Sequence, residues 1–277
     1  MRIGEGIDAD DSDEGPILML LLENLTKFFN PDTIDQKLAL NDVSVRIEKG
    51  DFVTVIGSNG AGKTTLLNLI SGTYLPDKGR VVIDGIDVTK LQEHKRAKYL
   101  GRIFQDPLMG TAASMTIEEN LGMADLRGMP RTLRWGVSKS RRKHYGSTLK
   151  TMGLGLEKRL KQSVSLLSGG QRQSLTLLMV TLTLPKLLLL DEHTAALDPK
   201  TAKRVMELTQ TIISENQLTA IMVTHNMEQA IRFGNRLIML HEGRIQLDIT
   251  GEEKKAFTVQ EAVKRFGATL KDESLLG

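Results

Sequence analysis

Residues 57–64 read Gly57-Ser58-Asn59-Gly60-Ala61-Gly62-Lys63-Thr64. The spacing of the two outer glycines, the lysine and the hydroxyl residue is that of a phosphate-binding loop. An apolar run over residues 52–56 precedes it, and residues 63–71 carry a helical pattern. Strand, glycine-rich loop and helix start are the context this chemistry needs. Glycines let the backbone wrap closely round phosphates, and successive N–H groups at a helix N-terminus attract negative charge. Lys63 is long enough to reach the β- and γ-phosphates of a nucleoside triphosphate, and the Thr64 hydroxyl suits Mg²⁺. A chance match in a chain this long is about one in a hundred. An ordinary glycine-rich turn is the competing reading, and the strand–loop–helix context speaks against it.

Two further stretches extend the argument downstream. Residues 187–190 are four leucines followed by Asp191-Glu192. Many buried strands end on an acid, but behind a phosphate-binding loop the pair has specific uses. Asp191 would hold the Mg²⁺ shell, and Glu192 would accept a hydrogen bond from, or a proton from, an attacking water. The second stretch is Leu167-Ser168-Gly169-Gly170-Gln171. Ser168 and Gln171 stand at capping-box spacing, which starts a helix at this point. Two glycines beside that start expose N–H donors to an anion. The chain therefore carries two separate anion-binding helix starts, at Gly62 and at Ser168. A plain helix cap without a ligand is the alternative for the second.

Outward from these motifs, the pattern predicts short strands over residues 17–22, 80–83, 187–190, 220–223 and 237–240. Val43, Val45 and Ile47 alternate with polar residues, as in a half-buried strand. A helix over 199–214 has Asp198 at its N-cap and Pro199 at its first position. Buried strands alternating with helices predict an α/β fold with a mostly parallel sheet covered on both faces. The early alternating strands add a smaller antiparallel β subdomain. Residues 106–180 have few strand signals and read as an inserted α-helical subdomain. Residues 1–15 read as a disordered acidic tail, 16–250 as one phosphate-binding domain and 251–277 as a short C-terminal extension.

The bulk properties narrow the setting. The 277 residues contain no cysteine, so disulfides and thiolate metal sites are excluded. Residues 5–14 hold six carboxylates and no base, so the rest of the chain is more basic than its net charge of +3 suggests. No secretory signal is present at the acidic start. The longest apolar stretch, residues 174–190, is interrupted by Pro185-Lys186 and is too short to span a bilayer. Residues 127–150 hold eight lysines or arginines and no acid. A solvated helical face is the simplest reading, and a membrane surface or permease contact the sharper one. Trp135 and Tyr145 are its only aromatics, which is thin for base stacking, so no nucleic-acid partner is expected.

The five residues 167–171 are the signature sequence of ABC ATPases, and the resemblance extends over roughly residues 18–243. It implies a P-loop NTPase with a RecA-like core. Gln105 matches the family's Q-loop, Asp198 in Ala195-Ala196-Leu197-Asp198 its D-loop, and His225 its switch histidine. Phe29 falls where the family places an aromatic that stacks on adenine, and the neighbouring Phe28 could take that role instead. His193 stands where proline or serine is commoner, and reads as a loop residue rather than a second switch. The resemblance implies catalysis by Glu192, His225, Gln105 and Lys63. It implies ATP bound by Phe29, Gly57, Ser58, Asn59, Gly60, Ala61, Gly62, Lys63, Thr64, Thr65, Ser168, Gly169, Gly170, Gln171 and Asp198, and Mg²⁺ by Thr64, Gln105 and Asp191. It also implies a head-to-tail dimer with a second copy or a homologous ATPase subunit, separate transmembrane permeases, and an extracytoplasmic binding protein. Such a subunit sits peripherally on the cytoplasmic face of the membrane. The wording Asp191-Glu192-His193-Thr194-Ala195-Ala196-Leu197-Asp198-Pro199 resembles bacterial importers of amino acids. A stand-alone cytosolic ATPase of the iron–sulfur-assembly kind is the main rival. A GTPase would need an Asn-Lys-x-Asp motif, which is not found.

Overall fold

The computed structural model describes residues 17–129 and 137–266. The acidic tail, Trp135 and the last residues of the C-terminal extension lie outside them. In chain order the elements are β1 (Leu18–Phe29), β2 (Lys37–Glu48), β3 (Phe52–Ile56), α1 (Lys63–Ser71), β4 (Lys78–Ile83), β5 (Ile86–Asp87), α2 (Glu93–Arg96) and β6 (Leu100–Ile103). Then follow α3 (Ile117–Asp125), α4 (Lys139–Thr151), α5 (Gly169–Thr181), β7 (Leu187–Asp191), α6 (Pro199–Glu215) and β8 (Thr219–Val223). The chain continues through α7 (Met227–Arg232), β9 (Arg236–His241), β10 (Arg244–Thr250), α8 (Gly251–Ala256) and α9 (Val259–Phe266).

Two sheets result. Strands β10-β9-β3-β8-β7-β6 form one, parallel throughout except for the antiparallel edge β10. Strands β2-β1-β4-β5 form the other, wholly antiparallel. Strands β3, β7 and β8 are buried at every residue, which is why their sequences are apolar runs rather than alternations. Strand β2 faces one way only: Val43, Val45 and Ile47 are buried and the residues between them are exposed. The inner face of this antiparallel sheet and α1 share one apolar core with β3 and β9.

Helices α3, α4 and α5 lie between β6 and β7 and pack round their own core, which includes Ile117, Leu121, Tyr145, Leu149 and Leu175. Three residues of the basic stretch are paired here, while Lys139, Lys143 and Lys150 are exposed and Arg131 and Arg134 lie outside the described residues. Arg142 forms a two-pronged pair with Glu118 at 2.5 and 2.9 Å, Arg141 pairs with Asp125 at 3.3 Å, and Arg127 donates to the Val180 carbonyl at 2.8 Å. Tyr145 is fully buried and donates to Asp125 at 2.9 Å, so its ring has no stacking face to offer.

Arg96 is completely buried, and among the described residues no carboxylate is within ion-pair distance of it. Its guanidinium donates instead to four carbonyls: Leu69 (2.6 Å), Ile70 (2.9 Å), Leu91 (2.7 Å) and Thr89 (3.0 Å). Leu69 and Ile70 belong to the last turn of α1, whose carbonyls have no helical partner and form the negative end of the helix dipole. A buried cation thus closes the far end of the helix whose near end opens the glycine loop. Arg96→Met keeps the apolar stem and strands these acceptors. Each unsatisfied buried group costs about 1–3 kcal/mol, so the variant should lose roughly 3 kcal/mol or more in urea unfolding. An unchanged midpoint would contradict this.

Candidate functional site

The parallel sheet delivers the motif residues to one edge. The loop of residues 57–62 leaves the carboxyl end of β3, Asp191-Glu192 that of β7, Thr224-His225 that of β8, and Gln105 that of β6. The ladder fixes their level. Ile103 is opposite Leu190, Asp191 is opposite Val223, and the Glu192 amide donates to the Val223 carbonyl at 3.0 Å. Ligands of open parallel sheets bind at this edge.

The glycines of the loop are required by contact as well as by torsion. A Cβ on Gly57 would lie 2.2 Å from the Leu240 carbonyl oxygen. Gly62 has φ +103°, and a Cβ there would lie 2.6 Å from the Ala39 carbonyl oxygen. Only glycine fits at both. Lys63 is buried and folds back over the loop, donating to the carbonyls of Gly57 at 2.7 Å and Ser58 at 3.1 Å.

A cavity of about 190 Å³ opens over this loop. Asn59, Gly60, Ala61, Gly62, Lys63, Thr64 and Thr65 line it together with Phe29, Lys37, Ala39 and Glu192. Of the two candidate aromatics, Phe29 is the one in the lining, and its ring meets Tyr74 edge-on at 5.3 Å. Lys37 and Ala39 carry no motif signal and were not anticipated. Lys37 is present because it is the register partner of Phe29 across β1 and β2.

Glu192 has φ +44°, a left-handed conformation that costs a non-glycine residue roughly 1–2 kcal/mol. Its carboxylate meets His225 Nδ1 at 3.3 Å. The next residue, His193, turns the other way into the core, where its ring is 2% exposed and Nε2 lies 3.2 Å from Thr209 Oγ1 of α6. It lies in a loop, as read from sequence, but is buried. Burial pushes its pKa down to about 4, which keeps the ring neutral near pH 7 and removes any switching role there.

Asp191 is held by a residue the motifs did not single out. Arg102 of β6 donates to its Oδ2 at 2.9 Å and to Asn68 Oδ1 at 2.7 Å. The Arg102 guanidinium also stacks on Phe104, with Cζ 4.8 Å from the ring centre. Thr64, Gln105 and Asp191 offer a hydroxyl, an amide oxygen and a carboxylate, donor types suited to Mg²⁺; of the three only Thr64 lines the cavity.

The signature residues stand apart. Ser168, Gly169, Gly170, Gln171 and Asp198 do not line the cavity, and neither do Gln105, Asp191, His225, Gly57 and Ser58. Ser168 caps α5, accepting from the Gln171 amide at 3.3 Å while its own amide donates to Gln171 Oε1 at 3.2 Å. Asp198 caps α6 through the Thr201 amide at 3.1 Å, and its hydrogen bonds to Thr201 hold its carboxyl below the usual range. The two helix starts touch: a Cβ on Gly170 would lie 2.0 Å from Thr201 Cγ2. One chain thus carries a phosphate-type cavity and, away from it, a second helix start with exposed residues.

The family model for ABC transporters matches residues 40–195, and the chain belongs to this family as an ATP-binding subunit. It is 45% identical over 248 residues to the tyrosine transport ATP-binding protein of Clostridioides difficile, spanning 90% of this chain and 98% of that one. It is 31% identical to the energy-coupling factor transporter ATP-binding protein EcfA2 of Clostridium tetani, spanning 90% of this chain and 84% of the relative. Among solved structures it resembles the ATP-binding cassette MJ0796 in a dimeric, post-hydrolysis state bound to ADP and Pi. That match has a TM-score of 0.72 at 30% identity and covers 84% of this chain and 98% of that one.

The Arg102–Asp191 pair generates a prediction. Both side chains are about nine-tenths buried, and removing one member of such a pair costs about 3–5 kcal/mol. Arg102→Met should therefore lower the unfolding free energy measurably. The double variant Arg102→Met with Asp191→Asn should lose less than the sum of the two single losses. Strict additivity would show that the pair does not act as a unit.

Proposed function

We propose that this chain hydrolyses ATP to ADP and phosphate as the motor subunit of a multi-subunit ABC importer for an amino acid or similar small solute. The observation that carries the reading is the division of the site. The cavity holds Phe29, the glycine loop and Glu192, while Ser168–Gln171 lie outside it on the same chain. Two copies, or one copy and a homologous ATPase subunit, placed head to tail would close each cavity with the other's α5.

In this reading Phe29 stacks on adenine, worth roughly 1–3 kcal/mol by analogy with base stacking elsewhere. The amides of residues 57–65 wrap the phosphates. Lys63 exchanges its loop carbonyls for the β- and γ-phosphate oxygens. Thr64, Gln105 and Asp191 would hold Mg²⁺, which neutralises phosphate charge when bound. Glu192 accepts a proton from the attacking water, and His225, already in contact with it, contacts the γ-phosphate. Ser168, Gly170 and Gln171 of the partner subunit approach the γ-phosphate from the other side, with Asp198 at the seam.

In this reading separate membrane subunits carry the solute; among the described residues no helix is long and apolar enough to cross a bilayer. The exposed apolar side chains Leu108 and Met109 after Gln105, and Met123 and Leu126 on and just after α3, support a permease docking there on the cytoplasmic face. The 45% identical relative named for tyrosine transport supports an amino-acid cargo; in this reading an extracytoplasmic binding protein delivers it.

Ser168→Arg puts a bulky cation at the partner-facing helix start and leaves the cavity untouched. Its steady-state ATPase activity should fall at least a hundredfold, on the order of a lost transition-state contact, while ATP binding to the monomer changes less than about threefold. Wild-type turnover in this variant would overturn the shared-site reading.

A further inference from the structure

His193 is a buried polar residue beside the proposed water-activating group, and nothing in the mechanism above uses it. Its surroundings define its state. The Thr209 hydroxyl has one proton, and that proton is committed to the Val205 carbonyl at 2.8 Å. With that proton on Val205, Thr209 Oγ1 accepts from the imidazole in the tautomer protonated on Nε2. Thr209 is itself fully buried in the middle of α6. The bond therefore joins the Glu192 turn to the helix that starts at Asp198 and packs, through Thr201, against Gly170.

The Glu192 turn needs an anchor. Glu192 is left-handed, so successive side chains diverge there: Glu192 lines the cavity and His193 enters the core. The turn is tied by two backbone bonds, from the Glu192 amide to the Val223 carbonyl at 3.0 Å and from the Ala195 amide to the Glu192 carbonyl at 2.9 Å, and by the Glu192–His225 contact at 3.3 Å. None of these reaches α6, as the His193–Thr209 bond does.

We propose that His193 is a positioning residue: its Nε2–H···Thr209 bond locks the Glu192 turn onto α6 and so holds the Glu192 carboxylate over the glycine loop. The inference rests on Glu192 activating the water. A carboxylate displaced by a fraction of an ångström still lets ATP bind but no longer aligns the attacking water. The same link makes α6 a rigid connection between the signature helix start and Glu192.

The test uses three variants of the full chain. His193→Phe fills the space without a donor, Thr209→Val removes the acceptor at nearly constant shape, and His193→Gln restores an N–H donor at similar reach. ATPase kinetics, affinity for a fluorescent ATP analogue and thermal melting are measured for each. His193→Phe and Thr209→Val should each lower kcat about tenfold or more, with nucleotide affinity within about twofold of wild type. Combining them should cost no more than either alone. His193→Gln should recover most of the loss. Thr209→Val, the milder change, carries the test should a histidine variant fail to fold. A kcat within twofold of wild type for Thr209→Val overturns the proposal, as does a loss in His193→Gln equal to that in His193→Phe. Glu192→Gln is the control. Full turnover in that variant removes the water-activation reading itself, whereas an inactive Glu192→Gln beside a fully active Thr209→Val overturns the positioning role alone.

Discussion

The close approach of the glycine loop to two sheets at once is the constraint on which this structure depends. Gly57 lies against the Leu240 carbonyl of β9, and Gly62 against Ala39 and Leu40 of β2. Gly243, in the turn between β9 and β10, ties the three together: its amide donates to the Ala61 carbonyl at 3.0 Å, and its carbonyl accepts from the Asn41 amide at 2.9 Å. The loop is therefore the joint between the parallel and antiparallel sheets as well as the floor of the cavity. A side chain at Gly57 or Gly62 would force the sheets apart and open the site in the same movement. Arg96 at the far end of α1 serves the same joint by holding the helix that the loop begins.

Around that joint the polar groups are satisfied in ways that leave the site ready for charge. Lys63 rests on carbonyls of its own loop and Arg102 rests on Asp191, so a buried lysine and a nearly buried carboxylate both have partners. The Lys63 bonds are of a kind that a polyphosphate can replace at modest cost, because neutral carbonyl acceptors are exchanged for charged ones. The strain stored at Glu192 lies at the same edge, between β7 and β8.

The sequence made most of the frame legible, because buried parallel strands are apolar runs and helix starts carry capping residues. The apolar run 52–56 matches β3, and the capping-box spacing at Ser168 and the Asp198-Pro199 start match the observed caps. Strand β6 escaped because it is four residues long and interrupted by Gly101 and Arg102, so it shows no apolar run. With it went Arg102, whose importance exists only once β6 lies beside β7. Strand β10 was missed for the opposite reason. It is an exposed edge, and one buried residue, Ile249, is too little for a signal. The choice between Phe28 and Phe29 could not be made from alternation, since register shifts between Leu25 and Phe28 break the period of β1. His193 read as a loop residue because its burial depends on the left-handed turn at Glu192, which nothing in the local sequence announces.

The central claim is that ATP is held between the glycine loop of one ATPase domain and the Ser168 helix start of another, which a second copy of this chain can supply. Light scattering on purified Glu192→Gln protein, with Mg-ATP and then with Mg-ADP, tests it most directly. The account predicts a clean shift from monomer to dimer with ATP and none with ADP, because removal of the water-activating carboxylate leaves the nucleotide contacts in place. A protein that binds ATP and remains monomeric, or that dimerises equally with ADP, would contradict it.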